Sequence, residues 1–115
     1  MAIHHAEAGE LVDINDWPPD VSSDQSHTII INDDVELGRL VLPKGKEIPD
    51  HSIASPILIQ CVEGTVEIRT QRARQSISAG QLIYLKADDP HSLTALDDAI
   101  VLLTIIFRRS REHDA

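Results

Sequence analysis

The stretch GKEIPDHSIASPILIQCVEG, residues 45–64, decides the fold of this chain. The stretch GQLIYLKADDPHSLTA, residues 80–95, has a similar arrangement of residues. Each begins at a glycine and carries one histidine, which is His51 in the first stretch and His91 in the second. Glycine adopts positive φ without the steric cost that other residues meet, so it is typical of turns. The two stretches therefore predict β-strands that are joined by turns.

Short runs with high β propensity lie within and around these two stretches. In one of them, Val66 and Ile68 alternate with Glu67 and Arg69, which is the period of a strand with one buried face. No stretch shows a helical period of useful length. Runs at this spacing predict an antiparallel sandwich or barrel. The predicted strands are residues 28–31, 35–42, 57–62, 65–70, 75–77, 82–85, 91–95 and 100–107.

Length and composition predict one domain with an aliphatic core. The chain has 115 residues, of which 42% are apolar and only 3% aromatic. Isoleucine, valine and leucine must then fill the core, and β-branched side chains favour strands. The segment Trp17-Pro18-Pro19 blocks helix formation, so residues 1–27 are expected to form an extended arm that Trp17 anchors. The sheet domain is expected at 28–109 and a tail at 110–115.

Charge and cysteine content exclude several classes of protein. The net charge of −9 repels phosphate backbones, so we expect no nucleic-acid partner. Cys61 is the only cysteine, which rules out a disulfide within the chain. No apolar run approaches the ~20 residues of a membrane span, and the N-terminus lacks a signal pattern. We therefore expect a cytoplasmic protein with no membrane partner.

Two predicted strands are apolar on both faces. Residues 57–59 and 100–107 carry apolar side chains at odd and even positions alike, whereas a strand with one wet face should alternate. One face is expected to line the interior, and the other needs a cover. Either the N-terminal arm or a second subunit could supply it, and a homodimer is the interpretation we favour.

The first stretch resembles the first motif of the cupin superfamily. In that motif a glycine is followed after five residues by a histidine, with a second histidine two positions on. A glutamate follows four positions later and a glycine after six more residues. The spacing fits throughout, and the residues fit at Gly45, His51 and Gly64. Ile53 stands at the second histidine position and Ile57 at the glutamate position.

The second stretch resembles the second cupin motif, again in spacing more than in residue type. Gly80 and His91 match the family's glycine and histidine. Lys86, Asp88 and Ala95 stand where the family usually has proline, glycine and asparagine. The resemblance covers about residues 28–107 and implies an all-β fold, the antiparallel double-stranded β-helix or jelly-roll barrel of RmlC-like cupins.

The resemblance also implies a ligand pocket between the two sheets. Its polar contacts would be His51 and His91, and its remaining lining is apolar. Cys61 is expected to be a small core residue of this lining and not a nucleophile. The complete set of expected pocket residues is His51, His91, Ile53, Ile57, Ile59, Cys61 and Tyr84.

Metal binding is the alternative that the resemblance leaves open. Cupins with a metal usually present three histidines and one glutamate, and this chain keeps only His51 and His91. Zinc sites typically use three or four protein ligands, and non-haem iron uses two histidines with a carboxylate. We expect no cofactor, with a divalent ion (Fe, Mn, Ni or Zn) as the alternative. His27 could reach the cavity as a third imidazole, whereas Glu47, Glu63, Asp88 and Asp89 are expected to face water.

Three functional hypotheses follow from the sequence. The first is a protein that binds a small organic molecule in an apolar barrel, with His51 and His91 as polar contacts. The second is an enzyme: either a metal-dependent oxygenase or isomerase, or a metal-free isomerase or lyase in which one imidazole takes a proton and the other gives one. The third is a non-catalytic dimeric interaction or regulatory module. The fold alone does not choose among them.

Overall fold

The computed structural model describes residues 4–15 and 24–107 of the chain. These residues form nine strands and no helix, so no helix that could cross a membrane occurs among them. All eight predicted runs are strands, four with the expected bounds and four that differ by one residue at one or both ends, and one further strand follows Gly45. The strands are β1 (His27–Ile31), β2 (Val35–Leu42), β3 (Glu47–His51), β4 (Ile57–Glu63), β5 (Thr65–Thr70), β6 (Arg74–Ser78), β7 (Leu82–Leu85), β8 (His91–Ala95) and β9 (Ala99–Ile106).

The strands form two antiparallel sheets in the jelly-roll arrangement, which confirms the predicted fold class. The five-stranded sheet has the order β1-β2-β9-β4-β7, and the four-stranded sheet has the order β3-β8-β5-β6. Strands β4 and β9 are central in the five-stranded sheet. Their β-branched and leucine side chains suit a pleated surface that is buried on one or both faces.

The core fills the space between the sheets. Ile59, Cys61, Val66 and Val101 have no solvent exposure at all, so the middle of the barrel is packed and holds no open chamber at these residues. Fully burying an aliphatic side chain contributes about 1.5–3 kcal/mol. The core cluster is Leu42, Ile57, Ile59, Cys61, Val66, Ile68, Ile77, Leu85, Leu93, Ala95, Ala99 and Val101.

A buried arginine on the outer face of the five-stranded sheet shows how part of that face is covered. Arg39 is 1% exposed and pairs in register with Leu102, which is 6% exposed. The Arg39 guanidinium donates a hydrogen bond to the carbonyl oxygen of Gln25 (3.1 Å), and Ser26 Oγ accepts one from the backbone N–H of Val41 (2.8 Å). Burial lowers the pKa of Arg39, and the negative charge of Glu63 opposes that shift.

Residues 25 and 26, which precede β1, therefore contact this part of the face, and the expected homodimer stays a prediction. Near the beginning of the described residues, the N–H of Ala6 donates to the carbonyl of Ile29 (2.8 Å), so the arm contacts the sheet edge there as well. Trp17, the expected anchor of the arm, lies outside the described residues.

The turn between β4 and β5 brings two backbone segments unusually close together. Gly64 has a φ of +75°, and a Cβ atom built on it would lie 2.3 Å from the carbonyl oxygen of Asp98. It would also lie 3.0 Å from the Cα atom of Ala99. Only glycine fits this position, both because of its φ and because the neighbouring atoms belong to the backbone.

Candidate functional site

The structure brings the two histidines of the motifs together. His51 ends β3 and His91 begins β8, and the two residues face each other in the antiparallel register. Their ring centroids are 4.4 Å apart and the ring planes are tilted by 55°. A β-bulge between Ile48 and His51 re-aims the end of β3 at this point.

The same backbone contact fixes the orientation of both rings. His51 Nδ1 lies 2.9 Å from the carbonyl oxygen of Pro49, and His91 Nδ1 lies 3.0 Å from that of Asp89. A carbonyl oxygen only accepts hydrogen bonds, so Nδ1 must be the donor in each case. In the neutral ring this leaves a lone pair on Nε2 of both histidines. Each neutral ring therefore presents Nε2 as a hydrogen-bond acceptor.

The two rings differ in their surroundings. His91 is 2% exposed, whereas His51 is exposed at the rim of the barrel. The backbone N–H of Asp88 donates to the carbonyl of Ile53 (2.8 Å), which holds the segment after His51 against the loop before His91. The buried ring of His91 thus forms an inner wall of the site, and a ligand can approach the pair from the side of His51.

A row of side chains places the pair on the inner face of the four-stranded sheet. Thr70 of β5 lies opposite His91, and the neighbouring row joins Ile68 to Leu93, both of which are core residues. Residues two apart along a strand share a face, so His91 and Thr70 face the same side as that core. The histidines therefore stand where the packed interior ends and the open end of the barrel begins.

The apolar residues of the expected pocket divide between this end and the core. Ile57 is 1% exposed and begins β4, directly after the loop that follows His51, and Ile53 packs against the core cluster from that loop. Ile59 and Cys61 lie deeper, and Cys61 is about 13 Å along the strand from Ile57. Their burial places them in the packed core.

Tyr84 lies on the outer face of its sheet and not between the two sheets. Tyr84 pairs with Leu58 across β7 and β4, whereas the flanking pair joins Leu85 to Ile57 in the core. Side chains alternate along a strand, so Tyr84 stands on the outer face and is 56% exposed. The sequence indicated a strand there correctly but did not indicate which face would be buried.

The environment of Cys61 is that of a structural residue. Its Sγ atom contacts the carbonyl oxygens of Glu63 (3.2 Å) and Gly64 (3.4 Å). Burial is the largest influence on the Cys61 thiol and raises its pKa. A buried thiol with a raised pKa is a poor nucleophile, in agreement with its expected role as a core residue.

We expect Cys61 to resist iodoacetamide at pH 8 in the folded protein and to react in urea. In the unfolded chain the thiol ionises with the ordinary pKa of a cysteine, 9.0, while the folded thiol keeps its proton to higher pH. Unfolding then releases a proton, so this group's contribution to stability falls as pH rises above about 9. Urea melts between pH 8 and 10 should show a decline that is smaller in Cys61→Ala. Rapid alkylation of the native protein would contradict this placement.

The residues present do not fit the metal site of the cupin family. Among residues 4–15 and 24–107, no group of three or more His, Cys, Asp or Glu side chains is arranged to hold a metal ion. His27, the candidate third imidazole, lies opposite Arg39 in the register and so points to the outer face of the five-stranded sheet. Two imidazoles without a third protein ligand form an incomplete site for Zn²⁺ or non-haem iron.

A cavity of about 410 Å³ opens at the same end of the barrel as the histidines. It lies between the β5–β6 hairpin and the β7 strand with the loop that follows it. Two wall residues of the cavity contact or face His91. Thr70 lies opposite His91 in the register, and the carbonyl oxygen of Asp89 accepts a hydrogen bond from Nδ1–H of His91. Its walls include Thr70, Arg72, Gln75, Ile83, Leu85, Lys86 and Asp89, with Tyr84 at its rim.

The sequence did not indicate most of these wall residues. Asp89 was expected to face water, but it is 9% exposed, and its carboxylate lies 3.5 Å from the Arg72 guanidinium. The two residues are 17 positions apart, and only the pairing of β5 with β8 brings their loops together. The position of Asp89 two residues before His91 was the one available signal.

Comparisons with known proteins support the interpretation of the motifs. The sequence model of the family described as "AraC-like ligand binding domain" matches residues 43–112. That range includes both histidines and both glycine-led stretches. No curated protein matches the sequence of this chain.

Solved structures share the fold over nearly the whole chain. A conserved protein of unknown function from Streptococcus pyogenes has a TM-score of 0.74 at 24% identity, covering 96% of this chain and 97% of its own. A cupin superfamily protein from Desulfitobacterium hafniense has a TM-score of 0.72 at 13% identity, covering 90% and 100%. An RmlC-like cupin with a double-stranded β-helix fold from Methanocaldococcus jannaschii has 0.68 at 13%, covering 85% and 93%. At these identities the likeness shows the fold alone.

Proposed function

Because the chain belongs to the family of AraC-like ligand-binding domains within the cupin superfamily, we propose that it binds a small organic molecule beside His51 and His91. The observation that carries the proposal is the pair itself. Two rings are held 4.4 Å apart, and each is anchored through Nδ1 to a backbone carbonyl. Ligand pockets are typically apolar with a few convergent polar groups, and this end of the barrel has that character.

The orientation of the rings favours a ligand that donates hydrogen bonds. Each Nε2 acts as an acceptor in the neutral ring, so hydroxyl groups of a ligand are the matching partners. A ligand that donates hydrogen bonds to both rings would bind in one orientation, because His51 and His91 belong to neighbouring strands of the same sheet. Hydroxylated compounds such as polyols, sugars and hydroxy acids are the class that this geometry selects.

The proposed binding uses no metal ion. Isoleucines stand at the two positions where metal-binding cupins carry their remaining ligands, and His27 points away. An apolar side chain at Ile57 packs well in the core, where an unpaired carboxylate would be costly. The same residues suit the apolar part of an organic ligand.

The role of the histidines is tested by exchanging each for asparagine or glutamine. Asparagine keeps an N–H donor near the place of Nδ1 but removes Nε2, whereas glutamine offers an amide oxygen near the place of Nε2. A panel of polyols, sugars, hydroxy acids and the amides of those acids is screened by ligand-observed NMR, and binders are measured by calorimetry. His51→Asn and His91→Asn should each weaken binding about tenfold, since the loss of one hydrogen bond to the ligand has that magnitude.

The control variants separate binding from folding. His51→Gln and His91→Gln should keep more of the affinity than the asparagine variants, while all four should unfold with the cooperativity of the parent. His5→Asn changes an exposed histidine of the arm and should bind as the parent does. Binders that retain parental affinity in both asparagine variants would show that the pair is not the site.

A further inference from the structure

The cavity beside the histidine pair carries positive charge in a protein that is strongly acidic. The chain has 19 acidic and 10 basic residues, so acidic side chains outnumber basic ones almost two to one. The cavity reverses that ratio, because Arg72 and Lys86 line it and Asp89 is its one carboxylate. The other two arginines of the β5–β6 hairpin, Arg69 and Arg74, each lie 3.8 Å from Glu67 instead.

We infer that the ligand is a small carboxylic acid whose carboxylate is held between Arg72 and Lys86. The inference rests on the proposed function, to which it adds the chemical class of the ligand. A monocarboxylate brings the net charge of the cavity walls and their occupant to zero. Arginine presents a planar fork of donors that matches a carboxylate in bidentate geometry, and lysine adds a mobile point charge.

The contact between Arg72 and Asp89 leaves the guanidinium available for a ligand. It is a single contact of 3.5 Å between Nη2 and Oδ2, and the Arg72 side chain is 73% exposed while that of Asp89 is 8% exposed. A guanidinium has five N–H donors, so the others remain free for a second carboxylate. Asp89 thereby acts as a positioning residue that draws Arg72 from the hairpin across the opening of the cavity.

The remaining walls match the rest of such a molecule. Ile83 and Leu85 face the interior from β7 and offer an apolar surface to a short carbon skeleton. Thr70 leads from the cavity to His91, its neighbour in the register. A hydroxy acid would therefore place its carboxylate at Arg72 and Lys86 and its hydroxyl group toward Thr70, on the side of the cavity that leads to His91. The volume of about 410 Å³ is at the lower end of that of small-molecule pockets.

The test measures the preference of the protein for hydroxy acids over their own amides. Each acid and its amide have nearly the same size and the same hydroxyl groups, so only the carboxylate differs. The parent protein should bind the acid about tenfold more tightly than the amide, and Arg72→Gln should reduce this preference to about threefold or less. Lys86→Gln should reduce it to a smaller extent, because an exposed ammonium is more strongly screened.

A matched control removes the same charge elsewhere on the hairpin. Arg74→Gln lies on the outer face beside Glu67 and should keep the full preference for the acid. Raising the salt concentration from about 50 to about 300 mM should weaken binding of the acid to the parent but not of the amide, because ionic screening acts only on the charged ligand. Arg72 and Lys86 are exposed, so their glutamine variants should fold as the parent does.

The outcomes separate this inference from the function on which it rests. If amides bind as tightly as acids and the asparagine variants of the histidines abolish both, the proposed site stands and the carboxylate class is wrong. If acids are preferred but Arg72→Gln and Lys86→Gln leave the preference unchanged, the assignment of the anion site is wrong. If no member of the panel binds, both the inference and the proposed function are overturned.

Discussion

We expect Gly64→Ala to lose about 4 kcal/mol or more of its free energy of unfolding, and to be recovered largely unfolded. The added Cβ atom would stand 2.3 Å from the carbonyl oxygen of Asp98, closer than such atoms approach in folded proteins. Alanine would also have to adopt a φ of +75°, which disfavours every residue with a Cβ atom. The atoms that would have to move are backbone atoms at the start of β9, and they cannot swing aside as a side chain can.

Two other glycines provide the control for this prediction. Gly45 and Gly80 have φ values of +88° and +90°, but a Cβ atom on either would meet nothing within 4 Å. Gly45→Ala and Gly80→Ala should therefore lose only about 1–2 kcal/mol each of the free energy of unfolding, which is the cost of a positive φ for a residue with a Cβ atom. Urea melts of the three variants measure the difference. Equal losses at Gly64 and Gly80 would mean that the close approach of the β4–β5 turn to Asp98 does not exist in solution.

The second large effect is expected at Ile57, where metal-binding cupins carry a glutamate. Ile57 is 1% exposed within the core cluster, so Ile57→Glu would place a carboxyl group in an apolar environment. We expect a loss of about 4 kcal/mol or more at pH 7. Burial raises the pKa of such a group, so the loss should shrink as the pH falls toward 5 and the carboxyl group binds a proton. Thermal and urea melts at both pH values provide the measurement.

A metal ion should rescue this variant once the other missing ligand is restored. Ile53→His combined with Ile57→Glu supplies two donors beside His51 and His91, which completes the usual cupin set of ligands. Ni²⁺, Mn²⁺ or Zn²⁺ at about 100 times its dissociation constant should then stabilise the double variant by about 2.7 kcal/mol. Ile59→Glu is the matched control, because Ile59 is equally buried but belongs to the packed core. Rescue of Ile59→Glu by the same ions, or none in the double variant, would contradict the placement of Ile53 and Ile57 around the pair.

The strands could be predicted from the sequence because their signal is local. Residues 35–42, 65–70, 82–85 and 91–95 form strands with the expected bounds, since apolar and β-branched residues dominate these runs and turn residues end them. Strand β3 was missed because Glu47–His51 contains a single aliphatic residue and a proline. It is an edge strand that is mostly exposed, and its partner β8, not its own composition, holds it in the sheet.

The site could be predicted only where a motif places a residue by spacing. The facing positions of His51 and His91 follow from the resemblance, and the structure adds the carbonyl contacts that orient the rings. The roles of Arg72 and Asp89 could not be predicted, because their contact depends on how two loops from different strands meet. The outward position of Tyr84, at the rim of the cavity, could not be predicted either, since a run of four apolar or aromatic residues does not reveal which face is buried.

The strand order also has a consequence for how the chain assembles. Strand β9 lies between β2 and β4, so two of the four strand pairings of the larger sheet require the last strand of the described chain. Only β1–β2 and β5–β6 can form as local hairpins beforehand. Folding should therefore be slow for a domain of this size, because the contacts that matter most join residues far apart in sequence. During synthesis, β4 can pair with β7 first, but its other edge stays unpaired until β9 has left the ribosome, which is when a chaperone would protect it best.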